Sequence, residues 1–145
     1  MPHPMNHRYN PLHTDLCGIT MASPIVLLSG CVGFGEEYTR VEGFSNRDVG
    51  GVVLKGTTGD ARLGNPPHRV YETPMGMLNA IGLQNPGVDR VVDDILPGLD
   101  FEETRFFANV SGSTLEEYER VTERFDDSPI DAIEINISCP NVKEG

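Results

Sequence analysis

Four short apolar runs constrain this chain more than any other feature: PIVLLSG (24–30), VGGVVLKG (49–56), RFFANVSG (105–112) and IDAIEINIS (130–138). Each is rich in β-branched or aromatic residues and ends in small or polar ones, the pattern of a buried strand. Between them lie stretches with helical spacing. In GEEYTRVEGF (35–44), Tyr38, Val41 and Glu42 stand three and four apart. In VDRVVDDIL (88–96), Val88, Val91, Val92 and Ile95 share one stripe. STLEEYERVTERF (113–125) opens on Ser/Thr followed by glutamates, the signature of a capped helix start. Strand and helix alternating in this rhythm predict a parallel sheet joined by right-handed crossovers. Residues 57–86, dense in proline and glycine, are expected to form one long loop.

The number of units bounds the architecture. A complete (β/α)8 barrel takes about 250 residues, and this chain has 145. It holds four strands, the last without a following helix. The expectation is therefore an α/β fold of the (β/α)8 TIM-barrel type, covering about the first four β/α units in one domain, 1–145, with no second domain. A four-stranded open sheet is the alternative. The sequence stops at NVKEG, within what should be the loop after strand four. That leads to the further expectation of a truncated chain, or of a second chain completing the barrel.

Bulk composition removes several function classes. A net charge of −11 argues against a nucleic-acid partner, since phosphate backbones are held by clustered lysine and arginine. The three cysteines, Cys17, Cys31 and Cys139, lack CxxC spacing and read as reduced thiols. His3, His7, His13 and His68 lack metal-ligand spacing, so no metal is expected. The opening MPHPMNHRYNPLH has no apolar core for a signal peptide, and the longest apolar run, around Ile25–Leu28, is far too short to span a bilayer. A soluble, cytoplasmic protein without a membrane partner is expected.

In parallel β/α folds the ligand site lies at the carboxyl ends of the strands. Here those ends are Ser29-Gly30, Lys55-Gly56-Thr57-Thr58, Asn109 with Ser111-Gly112, and Asn136-Ile137-Ser138-Cys139-Pro140-Asn141. Lys55 follows Val52, Val53 and Leu54, so its stem should be partly buried. It is either a snorkelling lysine or a fixed cation aimed at an anionic ligand or developing charge. Glu134 and Asn136 share the strand face opposite the isoleucines, the face that would look into a barrel. Asn79 and Asn85 sit in a loop whose glycines, 76, 82 and 87, permit close approach to a flat ligand. Cys139, beside a proline with hydroxyl and amide neighbours, is either a small buried hydrophobe or an accessible thiol able to act as base or nucleophile.

The segments VVLKGTT (52–58), GNPPHRVYETPMGMLNAIGLQNPG (64–87), FFANVSG (106–112) and EINISCPNVKEG (134–145) together resemble the dihydroorotate dehydrogenases, specifically the class 1B catalytic subunit. The resemblance runs from about Leu16 to Gly145. It implies an FMN-containing (β/α)8 barrel that oxidises dihydroorotate to orotate in pyrimidine biosynthesis. Ser29, Lys55, Gly56, Asn109 and Asn136 would contact FMN. Lys55, Asn79, Ala80, Ile81, Gly82, Leu83, Asn136 and Asn141 would face the substrate, and Cys139 matches the catalytic base. The resemblance also implies an iron–sulfur, FAD-containing partner subunit passing electrons to NAD, and a homodimer for the full-length chain. LLSGCVGFGEEY (27–38) and TTGDAR (57–62) depart from the usual family pattern beside the site. The phosphate grip, commonly built after strands seven and eight, lies outside these residues. The competing readings are a non-catalytic remnant acting as an interaction module and, within the enzyme class, a related pyrimidine reductase.

Overall fold

A computed structural model describes residues 11–138. Two antiparallel strands come first, β1 (Thr14–Leu16) and β2 (Ile19–Met21). The turn between them places Cys17 and Gly18 at φ 53° and 90°, the left-handed pair that fits the twist of a two-residue hairpin. Next come β3 (Val26–Leu27), β4 (Gly51–Val53), the hairpin β5 (Val70–Thr73) and β6 (Gly76–Asn79), β7 (Arg105–Val110) and β8 (Ala132–Ile135). The helical segments are α1 (Val88–Arg90), which continues as a π-turn over Val91–Ile95 and a 3₁₀ turn over Leu96–Gly98, and α2 (Leu115–Asp126). The widened turn ends two residues before Pro97, which has no N–H to offer a regular α-helical ladder.

The four expected strands pair in parallel in the order β3-β4-β7-β8. That order never reverses, as it would at the switch point of a doubly wound sheet. The helices also lie on one face only. Val52, Leu54, Phe106, Ala108 and Val110 from the strands close on Val88, Val91, Leu96, Val121 and Phe125 from the helical segments, all almost fully buried. Burial of each large apolar side chain contributes roughly 1.5–3 kcal/mol, so this layer dominates the stability of the fold. One-sided helices and strands in sequential order make one wall of a barrel; within the described residues that wall is a four-stranded sheet with β3 and β8 at its edges.

The opposite face changes character along the strands. Near the amino ends Val53 and Phe107 pack with Met21, with Ile19, Val26 and Ala132 against them. The β1–β2 hairpin thus plugs that end, tied on by Arg105 Nε, which donates to the Thr20 carbonyl at 2.9 Å. Towards the carboxyl ends the same face carries Asn109, Glu134 and Asn136.

Helix α2 starts as its sequence predicts. Thr114 Oγ1 accepts from Glu117 N at 3.2 Å. The Glu117 carboxylate, however, accepts from Ser113 N at 2.8 Å and Gly59 N at 3.0 Å. It therefore fastens the loop after β4 to the helix start. Arg120 and Arg124 reinforce this layer, pairing with Asp60, Asp89 and Asp93.

Two expectations require correction. Residues 35–44 form no α-helix; a single 3₁₀ turn spans Tyr38–Arg40. Gly35 and Gly43 hold φ values of 90° and 83°, and the seven residues between them are too few to repay helix nucleation. The Glu37 carboxylate instead accepts from Phe34 N. The segment 57–86 is not one irregular loop, because it contains the β5–β6 hairpin, in which Tyr71 pairs with Leu78. Its side chains are largely exposed, so no buried face announced it in the sequence.

Candidate functional site

The carboxyl ends of the four parallel strands enclose a cleft of about 600 Å³. Ser29, Lys55, Gly56, Leu83, Asn109 and Asn136 line it together with Glu134. These residues lie as far as 107 positions apart in sequence (29 to 136), and only the parallel pairing brings them together.

A register slip positions Lys55. Val53 pairs with Phe107, yet Thr57 pairs with Val110, so β4 carries one extra residue across Lys55-Gly56. Such a bulge re-aims side chains at the end of a strand. The Lys55 N–H turns away from β7 and donates to the Gly33 carbonyl at 2.7 Å. The half-buried side chain extends towards the loop after β3, where a Cβ on Gly30 would stand 3.7 Å from Nζ. Among the described residues the Lys55 ammonium has neither a hydrogen-bond nor an ion-pair partner. A second cavity of about 480 Å³, lined by Gly33, Glu37, Arg62 and Gln84, opens on the other side of it.

Asn109 sits at the centre of a polar network and is almost fully buried. Its Nδ2 donates to Glu134 Oε1. Its Oδ1 accepts from Ser111 Oγ and Asn136 Nδ2, each at 3.3 Å. Asn136 Oδ1 in turn accepts from Ser138 N at 3.2 Å, and the Asn136 carbonyl accepts from the Tyr118 hydroxyl. Gly56 faces this network so closely that a Cβ there would lie 2.7 Å from Asn109 Oδ1 and 2.9 Å from Leu83 Cδ1. Bare backbone at that point leaves a flat wall.

Leu83 reaches the cleft through an unusual backbone, with φ 54° while almost fully buried. Asn85 holds it there. Asn85 Nδ2 donates to the Leu83 carbonyl and to Thr58 Oγ1, both at 2.9 Å, while Oδ1 accepts from Thr58 N at 3.2 Å and Gly87 N at 2.9 Å. The loop after β4 and the segment after the β5–β6 hairpin are thereby locked together.

The other sequence-nominated residues fall elsewhere. Asn79 ends β6, exposed and outside the cleft. Ala80 N donates to the Arg69 carbonyl, the Ile81 carbonyl accepts from Asn65 N, and Gly82 packs against Asn65. This stretch is the base of the hairpin leading to Leu83. Cys139 and Asn141 lie outside the described residues. Glu134 and Ser111 complete the network although neither was nominated as a site residue. The alternation that put Glu134 on the face of Asn136 was the available signal.

Fold and cleft together define one wall of a parallel β/α barrel, the cleft lying at its carboxyl-terminal mouth, where such folds place their ligands. The sequence model of the dihydroorotate dehydrogenases matches residues 11–145, and the chain belongs to that family. It is 50% identical over 137 residues to the catalytic subunit of dihydroorotate dehydrogenase B (NAD(+)) from Geobacillus kaustophilus. The alignment covers 94% of this chain and 43% of that protein. The same subunit from Exiguobacterium sibiricum is 52% identical, with 94% and 44% covered. The chain thus spans less than half the length of these curated relatives. Among solved structures, the dihydroorotate dehydrogenase of Eimeria tenella in complex with ferulenol superposes with a TM-score of 0.69 at 21% identity. That superposition covers 99% of this chain and 41% of the other, a likeness of fold. No helix among the described residues is long and apolar enough to cross a membrane.

Proposed function

We propose that residues 1–145 are the amino-terminal half of an FMN-dependent dehydrogenase that oxidises dihydroorotate to orotate in pyrimidine biosynthesis in the cytoplasm. The observation carrying this reading is the Lys55 ammonium, without a partner among the described residues, at the mouth of a cleft whose facing wall is built of amides. Membership of the family and the match to B-type catalytic subunits support it.

The donor set suits FMN. Amide groups and an ammonium complement the carbonyl and ring-nitrogen edge of a flavin, and the bare Gly56 backbone admits a flat ring where any Cβ would collide with Asn109. Ser29, Lys55, Gly56, Asn109 and Asn136 would hold it. FMN, when bound, supplies the acceptor for the hydride that leaves C6 of dihydroorotate. Cys139, as thiolate, takes the proton from C5. Lys55, with no charge partner among the described residues, would offset negative charge developing in the cleft. Asn136 and Asn141 would orient the pyrimidine edge, and Asn79 to Leu83 would line the substrate pocket, Leu83 being the one of these five that lines the cleft described above.

The names of the relatives, catalytic subunits of an NAD(+)-linked enzyme, favour a separate electron-transfer subunit, which would carry the FAD and the iron–sulfur cluster. The full-length chain is expected to form a homodimer. By itself the 145-residue chain is expected not to turn over substrate. A second reading, an interaction module derived from such an enzyme, draws on the exposed β3 and β8 edges of the sheet and on the apolar groove formed by Leu115, Tyr118, Ile135 and Ile137.

The first test is the visible absorption spectrum of the purified chain after incubation with FMN, with released flavin identified by chromatography. Flavin retained near one per chain supports the reading. A protein that stays colourless removes flavin binding from this half. Dihydroorotate oxidation in a completed barrel should then disappear with Cys139→Ala, and undiminished turnover would remove Cys139 as the base.

A further inference from the structure

β7 and β8 set Asn109 and Glu134 directly opposite each other in parallel register, on the face that looks into the cleft. An ionised carboxylate can only accept hydrogen bonds, whereas a carboxamide can present either end. Glu134 therefore decides which end of Asn109 faces it: Nδ2 donates to Glu134 Oε1. The opposite end, Oδ1, is then obliged to accept, and it does so from Ser111 Oγ and Asn136 Nδ2. That settles Asn136 in turn, whose Oδ1 accepts from Ser138 N.

We propose that Glu134 is a positioning residue. Its carboxylate orients the Asn109 amide and, through it, the Asn136 amide, so that the pair meets a ligand mainly with N–H donors. Among the described residues each amide keeps one N–H uncommitted, while the Asn109 oxygen already serves two donors. With the Lys55 ammonium alongside, the wall selects the acceptor-bearing edge of a planar heterocycle, one lined with carbonyl oxygens or an anionic nitrogen. Reversing both amides would place oxygen against those acceptors. The inference rests on the reading that this cleft holds a flavin and a pyrimidine, and it adds the residue that fixes the polarity of the wall.

The test compares the 145-residue chain with Glu134→Ala and Glu134→Gln. Side-chain amide resonances of Asn109 and Asn136 are followed by NMR, FMN affinity by quenching of flavin fluorescence, and folding by circular dichroism. Glutamine offers its own carbonyl to Asn109, so it should keep both amide signals near their wild-type positions and FMN affinity within about threefold. Alanine should displace both signals and weaken FMN at least about tenfold, the loss expected when a hydrogen bond to a charged group disappears. An Asn136 signal unmoved by Glu134→Ala breaks the relay and overturns the proposal. So does a folded Glu134→Gln that falls as far as Glu134→Ala, because charge rather than orientation would then be responsible. If the wild-type chain takes up no FMN, the flavin reading fails, and the two amide signals still decide the role of Glu134.

Discussion

Asn85 offers the most demanding test of how the cleft is held open. Replacing it with alanine removes the common partner of three buried backbone groups: Thr58 N, Gly87 N and the Leu83 carbonyl. Each buried group left without a partner costs about 1–3 kcal/mol, which sums to roughly 3–9 kcal/mol. Water entering the vacated space can serve one or two of them. The expected loss is therefore about 3–5 kcal/mol, a large share of the 5–15 kcal/mol typical of a domain. At about 3 °C per kcal/mol for a chain of this size, Tm should fall by about 10–15 °C. Urea denaturation followed by far-ultraviolet circular dichroism measures the first figure and a thermal scan the second. Thr58→Val provides the contrast, since it leaves all three backbone partners of Asn85 served and removes only the hydroxyl that accepts from Asn85 Nδ2 and donates to the Asp60 carbonyl; it should cost about 1–3 kcal/mol, less than Asn85→Ala. An Asn85→Ala variant within about 1 kcal/mol of wild type would show that the loops are held by something other than this amide. The same variant frees Leu83 from its left-handed backbone, so FMN affinity should fall along with stability.

Two further outcomes follow from individual side chains. Gly56→Ala pushes a methyl group into Asn109 Oδ1, Leu83 Cδ1 and Ser111 Oγ, at 2.7, 2.9 and 3.0 Å; it should cost about 1–3 kcal/mol of stability and abolish FMN uptake, read by urea titration and flavin fluorescence, and undiminished uptake would remove Gly56 from the flavin wall. Glu116 is held below its ordinary value of 4.5 by a backbone hydrogen bond and by the Thr114 hydroxyl. A depressed folded-state value contributes stability above the unfolded-state value and loses it as pH falls through the folded one. Thermal scans taken downward from about pH 5 should show this acid-side loss, and Glu116→Gln should flatten it; an identical pH profile in the variant refutes the assignment.

Local pattern was enough to specify the β/α rhythm, because apolar spacing at two and at 3.6 residues is a property of neighbouring positions. The bodies of β4, β7 and β8, the capped start of α2 and the apolar stripe from Val88 to Ile95 were all legible that way. So was the polarity of the strand ends; the choice of Ser29, Lys55, Gly56, Asn109 and Asn136 among them came from the family resemblance, and the sheet gathers these five into one cleft. What the spacing could not express was the choice among partners distant in sequence. The bulge at Lys55-Gly56 exists because Thr57 pairs with Val110. The Glu117 carboxylate reaches Gly59 across 58 positions, and Glu134 orients Asn109 across 25. The helix expected over 35–44 gave way to glycine backbone and a local carboxylate contact. The β5–β6 hairpin went unread because its side chains face solvent on both sides and leave no alternation. Sequence alone thus determined which segments could be strands and which ends would be polar. Only the tertiary structure decided which polar groups satisfy one another and which, like the Lys55 ammonium, find no partner among the described residues, because that depends on contacts between segments far apart in sequence.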